Sequence, residues 1–223
     1  MLGALRAGYT LAEFEHVLGT PLFSRPAAPT LTEYIFQGRG YWAQVITGRS
    51  ATVVLYAVTS CSTNFTPSFH LPIPSRNGKG SATVTLNRTR FTEVLTSQEE
   101  ERVHVDYNTG ASADQWYLDK YYGANPGFYK SYAWGLNDAC PDWFPFFSKL
   151  EREGLTPGPG RLNYQGPVMA GGSRVARFRS HVPVNTYAES SVSPTSGGYG
   201  FPHLNRGLHI GADRILIRTA TLH

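Results

Sequence analysis

Three runs of β-branched and aromatic residues, Thr32 to Gln37, Tyr41 to Thr47 and Ser50 to Ser60, follow one another with little more than Gly38, Gly40 and Gly48 between them. Connections this short turn the chain back on itself and leave no room for a crossover helix, so the segment has to form an antiparallel meander. In the third run Thr52, Val54, Tyr56 and Val58 share one face while Val53, Leu55 and Ala57 share the other. Apolar residues on both faces place that strand at the centre of a sheet covered on both sides. The 223 residues include 23 glycines and 15 prolines, about one residue in six, which favours turns over long helices. With 41% of residues hydrophobic, a chain of this length can bury a sizeable core.

The helices announce themselves by their caps. In Thr10-Leu11-Ala12-Glu13 the threonine hydroxyl can accept from an orphan amide and the glutamate can reach back, a capping box. Leu11, Phe14, Val17 and Leu18 then form one stripe, and Gly19 with Pro21 ends the helix. Ser112-Ala113-Asp114-Gln115 repeats the box and predicts a second helix over Ala113 to Tyr122, ahead of Gly123 and Pro126. Asp142 to Glu153 reads as a third, with Asp142 as its cap. Further strands are expected at Ala82 to Leu86, Arg102 to Tyr107, Phe128 to Leu136, Ser173 to Val182 and Leu208 to Thr219. Asn64 to Asn77, broken by Pro67, Pro72 and Pro74, reads as a surface loop, Glu99 to Glu101 as a solvated bend, and Ser190 to Asn205 as a mobile loop. The fold class is α+β: a mainly antiparallel sheet with two or three short helices packed on it. Residues 1–223 are read as a single unit. The likeness of Thr10 to Pro21 and Ser112 to Pro126 raises a second organisation, tandem helix-plus-meander units at 1–100 and 101–223, although short capped helices also recur by chance.

A net charge of +4 is spread along most of the chain, so a phosphate-gripping face of the nucleic-acid kind is disfavoured. The sequence holds no apolar run of about 18 residues, the length a membrane-spanning helix needs. Its first residues lack the pattern of a signal peptide, so if the natural protein is exported or anchored, the segment that does it is expected outside this stretch of sequence. Cys61 and Cys140 stand far apart with no CxxC and no His at metal spacing, which argues against zinc. Two buried free thiols are the preferred reading, and a Cys61–Cys140 disulfide is the alternative.

Three groups of side chains are candidates for function. Trp116, Tyr117, Tyr121, Tyr122, Tyr129, Tyr132 and Trp134 crowd together beside Phe128, more aromatic area than one helix and one strand bury with ease. Core packing accounts for the larger share, and an aromatic contact surface for a protein partner is the functional reading. Arg174, Arg177, Arg179 and His181 lie without an acid between them. On a strand the last three would share a face and grip a phosphate, a carboxylate-rich partner or an anionic surface, against the alternative of a solvated outer face. His104 and Asp106 would also share a strand face, yet no nucleophile elbow of the G-x-S-x-G kind accompanies them. No metal or other cofactor is expected, since His203 and His209 lack a third ligand.

Gly8-Tyr9-Thr10, the short helix, Leu18-Gly19-Thr20-Pro21 and the tyrosine-rich meander resemble the helix-plus-hairpin module of the small outer-membrane assembly lipoproteins and of the β-lactamase inhibitory proteins. Over the whole length, Asn125-Pro126-Gly127-Phe128-Tyr129, Gly135-Leu136-Asn137-Asp138 and Asn185-Thr186-Tyr187 are similar to a bacterial family that carries such a module after an N-terminal membrane helix. That family brings no activity with it. The resemblance implies a non-catalytic protein-interaction or accessory domain that is membrane- or envelope-associated in its full-length form. Two other functions stand beside it: a small hydrolase or transferase using His104, Asp106 or Cys61, and an anion or nucleic-acid binder using the Arg174 to His181 segment.

Overall fold

The computed structural model describes residues 2–73, 80–107, 115–125, 128–156, 164–168, 172–192, 200–205 and 208–213. In chain order they form α1 (Leu11–Leu18), β1 (Phe23–Ala28), β2 (Leu31–Gly38), β3 (Tyr41–Thr47), β4 (Val53–Ser60), β5 (Ser68–Leu71), β6 (Ala82–Thr85) and α2 (Ser97–Glu100). There follow β7 (Val103–Tyr107), β8 (Gln115–Asn125), β9 (Phe128–Asn137), α3 (Phe144–Arg152), β10 (Tyr164–Pro167), α4 (Gly172–His181) and β11 (Thr186–Ser190). Among these helices none is long and apolar enough to cross a membrane.

Nine strands make one antiparallel sheet in the order β1-β2-β3-β4-β11-β9-β8-β7-β10, and β5 pairs with β6 in a second small sheet. The fold is therefore α+β. Strands β1 to β4 are the meander, extended by a strand at Phe23–Ala28 that Pro26 had concealed; proline is tolerated there because β1 is an edge. Strand β11 lies in the middle of the sheet, with Tyr187 opposite Val58 of β4 on one side and opposite Trp134 of β9 on the other. The strands of 1–100 and those of 101–223 lie side by side in one ladder and meet at the β4–β11 pair.

Alternation gives the sheet two buried faces. On the first, Val45, Tyr56, Val58, Tyr187, Tyr132, Trp134, Tyr117 and Tyr121 meet Phe14 of α1, Phe69 of β5, Phe91 and Phe178 of α4 in one cluster. On the second, Ile46, Leu55, Ala57, Ala188, Ala133 and Leu118 meet Phe201 and Ile210.

Several expectations need correction. The described part of Asn64 to Asn77 is not all surface loop, since it holds β5 with Phe69 and Leu71 buried and Ile73 buried beyond it. In the expected strand Leu208 to Thr219 the described residues, 208–213, form no strand. The segment predicted as a second helix is strand β8 over its described part, because Tyr117, Asp119 and Tyr121 alternate into the first face and the strand is laddered on both sides, to β7 and to β9. Such pairing overrides a four-residue cap pattern whose first members, Ser112 to Asp114, lie outside the described residues. The expected strand Ser173 to Val182 is helix α4, since its buried apolar residues Val175, Phe178 and Val182 recur with helical spacing. Cys61 and Cys140 are joined in a disulfide with their Cα atoms 5.3 Å apart, not left as free thiols. Helix α3 starts at Phe144 behind a 3-10 turn, Pro141–Trp143, so that Trp143 and not Asp142 holds the cap position.

Candidate functional site

The residues that end β4 build one wall of a groove. Cys61 donates its N–H to the Gly40 carbonyl at 2.8 Å, and Phe65 donates to Ser62 at 3.0 Å, which curls the chain into a tight loop. Asn87, in the left-handed region at φ 63°, turns its amide into that loop and donates to Ser60 Oγ, Ser62 O and Phe65 O at 2.8, 3.0 and 2.8 Å. The loop then holds the Phe65 ring stacked on Tyr41, centroids 4.8 Å apart and 15° from parallel. Behind Tyr41 there is no space for a side chain: a Cβ on Gly38 would lie 2.1 Å from the Tyr41 ring.

The opposite wall is the turn Leu2–Ala4 with Val17 of α1, and β5 contributes Ser68 and His70 along the rim. The trough between them has a volume of about 750 Å³, within the range of ligand sites. Its wall is apolar, its rim offers the side chains of Asn64, Thr66, Ser68 and His70 for hydrogen bonds, and its lining among the described residues contains no Lys, Arg, Asp or Glu. Burial raises the Tyr41 phenol above its ordinary range.

The side chains singled out in the sequence are placed differently. Tyr117, Tyr121, Tyr132 and Trp134 are buried in the first-face core, and Tyr122 is half-buried. The side chains of Trp116 and Tyr129 lie outside the described ones. Tyr117, Tyr121, Tyr132 and Trp134 are core rather than contact surface, because strand alternation turns them inward. Arg174, Arg177, Arg179 and His181 do not share a strand face, since α4 distributes them around a helix. Arg174 donates to Thr156 at 3.0 and 2.7 Å, His181 Nδ1 lies 2.8 Å from the Arg177 carbonyl, and Arg179 is 4% exposed in an ion pair with Asp119 and Glu100.

His104 and Asp106 do share a face of β7, and Lys120 of β8 donates to Asp106 Oδ2 at 2.7 Å. Burial and then the charge of Lys120 hold the His104 pKa below the ordinary imidazole range, outweighing Asp106. Sequence reasoning missed Glu189 altogether. It is 1% exposed on β11, and accepts from Lys130 Nζ at 2.5 Å, from the Ala7 amide at 3.1 Å and from the Tyr56 and Tyr187 hydroxyls at 3.4 Å. The groove was equally out of reach, since it joins four separate stretches of chain and no motif marks it.

No protein-family model matches the chain, and no curated protein matches it. Among solved structures, a cysteine-rich secretory protein from Staphylococcus aureus aligns with 92% of this chain at 11% identity and a TM-score of 0.35. The chain spans 51% of that protein's length.

Proposed function

We propose that the chain is a non-catalytic protein-binding domain that holds an uncharged, extended segment of a partner in the groove between Val17, Tyr41 and Phe65. The observation that carries this reading is the groove's make-up among the described residues: an apolar aromatic wall, a rim of amide, hydroxyl and imidazole groups, and no Lys, Arg, Asp or Glu. Apolar contact supplies affinity at such a surface, and the rim groups pair with the partner's backbone. The Cys61–Cys140 disulfide fits an oxidising compartment, in keeping with the envelope setting that the module resemblance implies.

Peptides selected against the domain from a displayed library test the reading. Bound peptide should shift the backbone NMR signals of Tyr41, Phe65, Thr66 and His70. Phe65→Ala should weaken binding by about 1–3 kcal/mol, the usual worth of an aromatic hot spot, with little change in melting temperature. The affinity should vary little with salt, because the described lining offers no Lys, Arg, Asp or Glu to screen. Signals that shift elsewhere, or an affinity that collapses with salt, would remove the groove as the site.

A further inference from the structure

The described parts of the C-terminal chain, 200–205 and 208–213, cross the second face of the nine-stranded sheet without joining its ladder. Side chains of the sheet hold them there. Gln44 of β3, 2% exposed, donates from Nε2 to the His209 carbonyl at 2.8 Å and accepts the Gly211 N–H at Oε1 at 2.9 Å. Thr59 Oγ1 of β4 accepts the Ala212 N–H at 3.1 Å, and Asn137 Nδ2 of β9 donates to the Ala212 carbonyl at 2.9 Å. Behind Gln44 stands buried Glu33, 2.6 Å from its amide and paired with Arg25, which in turn donates to Asp213 at 2.9 Å.

Each residue of this strap meets a different demand. Ile210 fills an apolar site in the cluster of Ile46, Leu55 and Ala57. Gly211 sits at φ 103°, and a Cβ there would fall 2.9 Å from both Thr59 Oγ1 and Asn137 Nδ2, so conformation and space both select glycine. Ala212 is buried, and Asp213 meets a cation. These are the devices by which proteins read an extended peptide: backbone captured by buried amides and hydroxyls, one apolar anchor, one position closed to side chains and one charge contact.

We propose that the second face of the sheet is a peptide-binding cleft, that Ile210–Asp213 occupies it as an internal ligand, and that a partner segment of the same chemistry displaces it. That segment is extended and carries a branched apolar residue, a glycine, a small residue and a carboxylate in succession. Among the described residues Ile210–Asp213 form none of the hydrogen bonds of the nine-stranded ladder, so releasing this strap breaks none. Once it leaves, Gln44, Thr59 and Asn137 lose the backbone groups they hold, which favours refilling by another peptide. The groove lies on the other side of the sheet, so failure of either site leaves the other standing.

The test uses the full chain and a fluorophore-labelled, end-blocked peptide of the sequence Leu-His-Ile-Gly-Ala-Asp. In the wild-type protein the tethered strap competes at an effective concentration of about millimolar, so the peptide binds weakly. Gly211→Val loosens the strap and should raise peptide affinity at least about tenfold on that basis. The same peptide with valine in place of its glycine should not bind, and Gln44→Ala added to the Gly211→Val chain should abolish binding. A folded Gly211→Val chain that ignores the peptide, or equal binding of the valine form, overturns the proposal. Hydrogen exchange on the wild-type chain decides the matter if Gly211→Val does not fold. The amides of Gly211 and Ala212 should then exchange through an opening far easier than global unfolding, and exchange at the rate of the β4 amides overturns it.

Discussion

Two buried carboxylates, Asp119 and Glu189, stand on the first face of the sheet, and each is matched by a cation from a neighbouring strand or helix. Arg179 reaches Asp119 Oδ2 at 2.6 Å and Glu100 at 2.8 Å, pinning α4 to the sheet and to α2. Burial pushes the Asp119 carboxyl above the ordinary carboxylate range, and Arg179 opposes that push. Arg179→Leu leaves Asp119 buried without its cation and should lower stability by about 3–5 kcal/mol, the usual cost of half a buried pair. Arg177→Ala, on the exposed side of the same helix, should stay within about 0.5 kcal/mol. Denaturant midpoints of the two variants check this, with Asp119→Leu combined with Arg179→Leu recovering much of the loss. An Arg179 that serves only as a surface anion ligand would leave the midpoint unmoved.

At the scale of elements, α1 shows how a short helix is fixed. Eight residues do not sustain a helix alone, so the capping box and the fully buried Phe14 have to supply the stability. Glu13 accepts from the Thr10 amide at 2.7 Å while its own amide donates to Thr10 Oγ1 at 3.3 Å. The first of these bonds holds the Glu13 carboxyl below its usual pKa. Thr10→Ala should cost about 1 kcal/mol, measured by chemical denaturation; an unchanged midpoint would mean that tertiary contacts alone hold the helix. The same Thr/Ser-x-x-Glu/Gln pattern fails at Ser112 to Gln115, where a cap of that worth competes with ladders along most of β8. Local signals therefore identified α1 and β2 to β4, whose partners are adjacent in sequence. They missed β11, five residues placed by strands from both ends of the chain, and the strap, whose apolar residues pack across the sheet instead of within it. In α4 the signal was present: Val175, Phe178 and Val182 have the helical period, and the arginines between them masked it. The groove and the Gln44 cleft are products of long-range packing, so no window of sequence contains either.

The whole molecule is closed around its central strand. The disulfide joins the residue after β4 to a turn three residues beyond β9, the two strands that flank β11, and its closure of a 79-residue separation is worth about 4 kcal/mol in chain entropy. Across the same strands runs a seam of phenols. Burial raises the pKa of Tyr56, Tyr117 and Tyr187 well above the ordinary 10.0, and raises Tyr121 and Tyr132 as well, with Glu189 adding to the rise at Tyr56, Tyr132 and Tyr187. The sign of the linkage follows from the direction of these changes. The folded protein keeps protons that the unfolded chain gives up near pH 10, so the contribution to stability is intact below that pH and is lost as the pH climbs toward the raised values. Every tenfold gain in a phenol's proton affinity on folding corresponds to about 1.4 kcal/mol, so several such groups acting together make the fold sensitive to alkali. Tyrosinate absorbance followed with far-ultraviolet circular dichroism should therefore show two classes among the 13 tyrosines. One class ionises with no change in dichroism. The seam ionises in a steep step that coincides with loss of the sheet signal, because no phenol in it can release its proton to water until β4, β11 and β9 come apart. A single smooth titration of all 13 with the dichroism intact would mean that water reaches the seam in the folded state and that the first face is not the closed core described above.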